Sequence, residues 1–502
     1  MSEKKSNGLS HTFFSVTGVI LVAKLLGFVK QMVTAGLFGT TIGTDLINLA
    51  EGFIGNLQYV LVQVLLTSFT AVYIHTREQS GEDAKRFAMD TMKAFSLIAG
   101  VLAALLMVGA GWVARIIAPS YEPETSARLA NYLRLFAPVL LLFVWIAVFH
   151  ALLNAHRRFI PGELVSLNQS VILVAIVLLL RSRLGVETLA LAFFVYHVWN
   201  TLFLGVLSRQ YWGRSSGNPF RSPAVRELLK MAGPLLLGYS MVYINQQVDK
   251  ILSSGLATGT VTAMGYAAVL SNLVGTFIVS FCSILFTDIT ARITRGDHDG
   301  TAELTLRSAS LLVLVFLPVS ILTVLCAGDI VSIVYGRGAF GTESVRLAAE
   351  SLVGYGFMFV PLVLRELFSR FQYGYKDSRT PMVNSTVGIA ANILCSIALC
   401  PRFGVLGITF ATSVSVCICG VLNAATARRY NSALRFRPLL GQLPFFVLGG
   451  VLCALAALWV RGILGESGPI PRFAAATLLG GGAYLAAVSP LLLRLLRRKK
   501  AA

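Results

Sequence analysis

The segment Val29-Lys30-Gln31-Met32-Val33-Thr34-Ala35-Gly36-Leu37 returns 219 residues later as Val248-Asp249-Lys250-Ile251-Leu252-Ser253-Ser254-Gly255-Leu256. Each copy ends a long apolar run and leads through a short Gly/Thr loop into the next. Thr76-Arg77 and Thr294-Arg295 recur at nearly the same offset, each ahead of a polar loop. Two matches at one spacing indicate duplication rather than chance. If the apolar runs are helices, the spacing holds six of them. An even number of crossings leaves both copies in one orientation, so the reading is two parallel repeats about an axis along the membrane normal.

A membrane helix needs about 20 mostly apolar residues. Such runs lie near 12–37, 43–74, 88–117, 130–154, 160–180, 186–207, 231–254, 261–290, 304–327, 345–371, 380–400, 404–426, 438–460 and 472–493. The expectation is an all-α polytopic membrane protein of about 14 transmembrane helices. An N-terminal six-helix bundle spans 1–207, a cytoplasmic linker 208–230, and a C-terminal six-helix bundle 231–430. Helices 13 and 14 with a basic cytoplasmic tail fill 431–502. Of the 502 residues, 56% are hydrophobic and only 13% charged, and mean hydropathy is +0.74. Soluble domains are roughly a quarter charged. So few charges cannot wet a globule of this size, which excludes a soluble enzyme, a DNA-binding protein and a disordered scaffold.

The net charge of +19 is read as cationic loops that orient helices, with no nucleic-acid partner. With the N-terminus inside, the inner segments hold 27 Lys and Arg and the outer loops 10, among them Arg115, Arg128, Arg134, Arg337, Arg346, Arg461 and Arg472. Both termini are therefore expected in the cytoplasm. The seven cysteines lie in or beside apolar runs, without a CxxC pair or a histidine at ligand spacing, so no disulfide or zinc framework is expected. The first apolar run lacks a small-residue cleavage site and is expected to stay as the first helix.

An ionisable side chain at the bilayer centre costs about 2.5–3.5 kcal/mol on insertion scales and should face water or a partner. Such residues are Lys24 and Lys30 in span 1, Asp45 and Glu51 in span 2, and Asp249-Lys250 in span 7 after Asn245-Gln246-Gln247. Span 8 holds Asp288, and span 10 holds Glu350, Arg365 and Glu366. Lys30 reads either as facing a cavity or as snorkelling to the interface with Asp45 as counter-ion. Asp249-Lys250 reads as a cavity feature or a self-neutralising pair, and Arg365-Glu366 as an inner gate or a helix-end pair. Together spans 1, 2 and 7 suggest a weakly cationic, amide-rich cavity suited to an anionic amphiphile. No phosphate loop, HExxH or GxSxG supplies chemistry, so the chain is not read as an enzyme, no cofactor is expected, and transport would run on an ion gradient or the membrane potential. Asp297-His298-Asp299-Gly300 reads as a hydrophilic turn, and Gly480-Gly481-Gly482 as a place for close helix packing.

Leu25-Leu26-Gly27-Phe28-Val29-Lys30-Gln31, then Phe38-Gly39 and Asp45, resemble the opening of the MurJ (MviN) lipid II flippases of the MOP exporter superfamily. Gly81-Glu82-Asp83-Ala84, Ala118-Pro119, Leu153-Asn154-Ala155 and Tyr375-Lys376-Asp377-Ser378-Arg379-Thr380-Pro381 follow in the family's order. The resemblance implies a monomeric flippase of the bacterial cytoplasmic membrane. It would move an undecaprenyl-diphosphate-linked peptidoglycan precursor from the inner to the outer leaflet by alternating access, its tail held with helices 13 and 14. Its partners would be that lipid-linked saccharide and the bilayer.

With this resemblance added to the reading of the residues, Lys24, Lys30, Gln31, Asp45, Gln58 and Lys250 are expected to form the substrate site, while Arg365 and Glu366 stay the gate candidates read from their position. Asp249, Asn392 and Thr412, with Ser396 nearby, would be a sodium site. The family's Gly-Phe-x-Arg-Asp is here Gly27-Phe28-Val29-Lys30-Gln31, and two further family arginines fall on Gln58 and Val269. Lysine keeps charge but loses the bidentate grip on phosphate. A flippase for another lipid-linked oligosaccharide and a MATE-like small-molecule exporter are the alternatives.

Overall fold

Runs of Leu, Ile, Val, Phe and Ala give the backbone no water to bond with at bilayer depth, so N–H and C=O groups must pair within the segment. The computed structural model describes residues 2–215, 217–465 and 467–497, apart from the side chains of 2–17, 234, 237–239, 241–242 and 494–497. Lys4, Lys5 and the basic tail at 494–500 lie outside that description. Every long regular element among the described residues is an α-helix. Eleven helices are long and apolar enough to cross a membrane, and 12 if one bent pair forms a single span. The chain divides into two compact units, Met1–Val261 and Thr262–Ala502.

The first unit holds α1 (Ser2–Phe38), α2 (Ile42–Gln79), α3 (Gly81–Ile117), α4 (Pro123–Phe136), α5 (Val139–Ala155), α6 (Ile160–Leu184), α7 (Glu187–Ser208) and α8 (Pro223–Ser254). The sequence reading opens the second bundle at residue 231, inside α8, which belongs to the first unit. Thr41 starts α2 with a capping box in which its side chain and that of Thr44 each receive the other's backbone N–H. Ser80 caps α3 through the Asp83 amide. Pro138, which has no N–H to donate, separates α4 from α5 within one apolar run. The core is aromatic: Phe69 stacks on Phe87 at 5.2 Å, and Phe136 meets Phe193 at 4.5 Å.

The second unit holds α9 (Thr260–Thr294), α10 (His298–Leu325), α11 (Ala327–Tyr335), α12 (Thr342–Gly356), α13 (Phe359–Gly374), α14 (Arg379–Ala427), α15 (Arg437–Leu440), α16 (Leu443–Ile463) and α17 (Pro469–Arg497). Asp297 caps α10 through the Gly300 amide at 2.8 Å, in keeping with the turn read there. Helices α12 and α13 are bent by 44°. Phe359, Phe368 and Phe371 form the core with Ile278. Phe446, Cys453, Tyr484 and Val488 bind α16 and α17 to α10 around Leu314. Of the glycine run in α17, only Gly480 is crowded, with a Cβ there 3.1 Å from the Cys453 carbonyl; Gly481 and Gly482 face open space.

The duplication is written in the backbone. Arg157 and Lys376, 219 positions apart, are the non-glycine residues with positive φ among the described residues, at 58° and 63°. Gly185 and Gly404 share the same spacing and the same φ of 56°. Non-glycine residues in that region are uncommon, so the matched pairs reproduce the offset found in the sequence. The expectation of 14 spans counts two further runs. One is α8, several of whose side chains lie outside the description. The other is the second half of α14, a 49-residue element interrupted by non-helical Gly404.

Candidate functional site

In the first unit α2 and α8 run antiparallel along one seam, and the paired positions follow a regular register. Near one end the Gly259 amide donates to Asp45 Oδ2 at 2.6 Å. Gly259 has φ +89°, and a Cβ there would stand 2.7 Å from the Thr40 carbonyl, so only glycine lets this loop approach. Further along, the Lys250 ammonium lies against the α2 backbone at Gly52. One turn on, Asn56 Nδ2 donates to Gln247 Oε1 at 3.0 Å. Beyond that, Tyr59 and Tyr243 meet with ring centroids 5.0 Å apart.

The centre of the seam is Glu51. This half-buried carboxylate interacts electrostatically with Lys30 from α1 and with Lys250 from α8. Buried Tyr196 of α7 also feels Glu51 and is hydrogen-bonded to Gln169 of α6. Four helices thus converge on one carboxylate and two ammonium groups, with the Asn56–Gln247 amides beside them. Such a cluster offers cations for an incoming anion, with one carboxylate offsetting part of their charge in its absence.

Of the residues expected from the sequence, Lys30 and Lys250 are brought together. Gln58 is half-buried on α2, two turns beyond Glu51 and on its face, and Gln31 is half-buried beside Lys30. Lys24 is exposed on α1. Asp45 is buried and holds the α8–α9 loop; the carboxylate coupled to Lys30 is Glu51. The Lys250 ammonium lies against the α2 backbone. Glu51 was noted as an intramembrane charge but not assigned to the site. Its partner comes from a helix some 200 residues away, and that register depends on the loop geometry at Gly259.

In the second unit Arg365 Nη2 pairs with Glu366 Oε1 at 2.8 Å. Arg370 grips the other oxygen and reaches Ser283 Oγ at 3.0 Å, tying α13 to α9. The expected gate pair is therefore part of a three-residue cluster. Asn392 donates to Thr412 Oγ1 at 3.1 Å, and Ser396 donates to Asn392 Oδ1 at 3.3 Å. Asp249 belongs to the first unit and is buried there. No cluster of three or more His, Cys, Asp or Glu suited to a metal occurs among the described residues. Sequence reasoning also missed buried Asp329, which bridges Arg461 at 2.6 Å and Arg472 at 2.7 Å and so fastens α16 and α17 to α11.

Known proteins share this architecture. Among solved structures, a lipid II flippase MurJ in an inward closed conformation aligns with a TM-score of 0.82 at 18% identity, covering 96% of this chain and 100% of that one. An inward-facing multidrug resistance MATE family transporter of the MOP superfamily aligns with a TM-score of 0.67 at 13% identity, over 82% of this chain and 95% of that one. At such identities these likenesses carry the fold alone. A probable lipid II flippase MurJ of Rhizobium meliloti (strain 1021) is 24% identical over 463 residues, 89% of this chain and 86% of the relative. The family model for lipid II flippase MurJ matches residues 34–470, a stretch that contains all of α2, α8 and the seam between them. On that match the chain belongs to the MurJ family of lipid II flippases.

Proposed function

We propose that this chain moves the undecaprenyl-diphosphate-linked peptidoglycan precursor lipid II from the inner to the outer leaflet of the bacterial cytoplasmic membrane by alternating access, and that Lys30 and Lys250 receive its diphosphate. As a member of a flippase family it is a transporter and not an enzyme. The observation that carries the site is the Lys250 ammonium of α8 lying against α2 at Gly52, next to Glu51 in the chain. A diphosphate entering there takes over the two lysines from the carboxylate. Lysines act as point charges on phosphate where an arginine would fork onto two oxygens. The headgroup is therefore held by charge more than by geometry, which also suits other polyprenyl-diphosphate saccharides.

An exporter of small cations needs a carboxylate free to meet its cargo. Glu51 is already matched by two cations, which disfavours that alternative. The rest of the reading is a monomer with fourteen spans, both termini and the 208–230 linker in the cytoplasm, and the bundles divided at 207 and 231. Energy comes from a sodium gradient or the membrane potential. With the inside negative, carrying one negative charge outward releases about 2.3 kcal/mol per 100 mV.

The test is a leaflet-accessibility assay in proteoliposomes loaded with lipid II. Externally accessible lipid II should rise with time for the wild type and stay at the protein-free level for a Lys30→Ala, Lys250→Ala variant. Equal rates for the two proteins would remove the site, and no transport by either would remove the function.

A further inference from the structure

Cations on the outer side of the membrane need a reason, because the charge asymmetry of the loops keeps them scarce there. Five of the ten outer arginines have one. Arg461 and Arg472 share Asp329, Arg346 is held by Glu343 and Glu350, and Arg337 donates to the Ile333 and Val334 carbonyls. At the turn between α3 and α4, Arg128 is drawn to Tyr132, which itself donates to Glu187. Arg115 and Arg134 are set apart by sharing one cavity. Neither has a carboxylate within ion-pair distance among the described residues; Arg134 donates to Asn131 Oδ1 at 2.8 Å, a neutral acceptor.

Both arginines line a cavity of about 440 Å³ whose remaining wall is apolar or hydroxylic, including Pro119, Tyr121, Ser126 and Ala130, with no carboxylate in it. The N-terminus of the 14-residue α4 opens at this cavity: Pro123 is its first residue, and no side chain caps its free amides. Uncapped amides attract an anion, against which the exposed Glu122 at the N-cap and Glu124 in the first turn act, both outside the cavity wall. On the neighbouring face of α3, about 100° from the cavity-lining Gly111 and Arg115, runs an exposed stripe of Ile116, Trp112, Val108 and Leu105. Such a stripe lies against acyl chains, with its tryptophan at the depth where indole rings favour the interface.

We propose that the α3–α4 turn binds an anionic phospholipid of the bilayer, its phosphate between Arg115 and Arg134 and an acyl chain along the Leu105–Ile116 stripe. A free phosphate would use the arginines but leave the stripe without a role; an exposed apolar face on the helix that carries Arg115 calls for an amphiphile. Guanidinium groups can each fork onto two phosphate oxygens. The site is independent of the headgroup cluster around Glu51 and does not depend on the cargo.

The test uses the full chain in nanodiscs of phosphatidylcholine, doped with either tail-brominated phosphatidylglycerol or tail-brominated phosphatidylcholine at equal mole fraction. Bromine quenches nearby indoles, and the difference between wild type and Trp112→Phe isolates the Trp112 signal. Brominated phosphatidylglycerol should quench Trp112 several-fold more than the phosphatidylcholine. Arg115→Gln with Arg134→Gln should remove that preference while quenching by brominated phosphatidylcholine persists, which shows the helix still in place, and Arg115→Lys should retain part of it. Equal quenching of the wild type by both lipids, or a preference that survives the double substitution, would overturn the proposal. So would a preference erased by inorganic phosphate but not by chloride of the same ionic strength, which would make the site one for free phosphate.

Discussion

The Lys250 ammonium rests on Gly52: a Cβ at that glycine would stand 1.6 Å from Nζ. The glycine is therefore what lets a cation from α8 settle against the α2 backbone beside Glu51. Gly52→Ala leaves the helix intact, since the obstructing atom is the far end of a flexible side chain, but it evicts the ammonium. Overpacking typically costs about 1–3 kcal/mol, and a movable side chain places this change at the low end. We expect lipid II transport to fall sharply while the melting temperature drops only slightly. Unchanged transport by a Gly52→Ala protein would show that the position of Lys250 does not matter.

Glu51 offsets part of the charge of two lysines inside the first unit. Removing one partner of a directly paired buried ion costs about 3–5 kcal/mol; Glu51 is half-buried and makes no ion pair at direct contact distance among the described residues, which lowers that. Glu51→Gln should thus destabilise the chain measurably, and Lys250→Met in the same chain should restore part of the loss. A double-mutant cycle on unfolding in detergent measures the coupling. Additive effects would mean that the two side chains do not interact.

Asp329 is 1% exposed and bridges Arg461 and Arg472. Its loss leaves two guanidinium groups without their anion at the attachment of α16 and α17. Asp329→Asn should cost about 3 kcal/mol by the same rule for buried pairs and should speed proteolysis between α16 and α17. Proteolysis at the wild-type rate would assign that attachment to the apolar cluster around Tyr484 alone.

His156, in the loop after α5, receives Arg77 Nη1 on Nδ1 at 3.3 Å, meets the Tyr73 hydroxyl through Nε2 at 3.0 Å and stacks on Tyr211 at 3.7 Å. Arginine can only donate, so the ring proton sits on Nε2. Burial, then Arg77 and Arg158, hold its pKa below the usual 6.5. The folded state therefore disfavours the imidazolium, the unfolded chain binds more protons in that window, and stability is lost as pH falls below about 6.5. Melting temperatures recorded from neutral to mildly acidic pH should fall for the wild type and fall less for His156→Gln.

Much of the fold was legible because its signals are local. Apolar length marks a span wherever it lies, and the echo of Val29–Leu37 in Val248–Leu256 reports duplication without any knowledge of packing. The backbone repeats that echo at Arg157 and Lys376, and at Gly185 and Gly404. The site was legible by halves. Lys30 and Lys250 stood out because charge at bilayer depth demands a partner. That partner, Glu51, was hidden by register: Asp45 is nearer to Lys30 in sequence, yet it is taken by the Gly259 amide. The break at Pro138 could be read from its missing N–H, whereas the Asp329 bridge joins residues more than 130 positions apart and left no local trace.

Growth of a strain depleted of its own lipid II flippase tests the central claim most directly, with this chain supplied as wild type, as Lys30→Ala with Lys250→Ala, and as Lys30→Arg with Lys250→Arg. The account predicts rescue by the wild type and the arginine pair, and none by the alanine pair at equal protein level in the membrane. Full rescue by the alanine pair would contradict it.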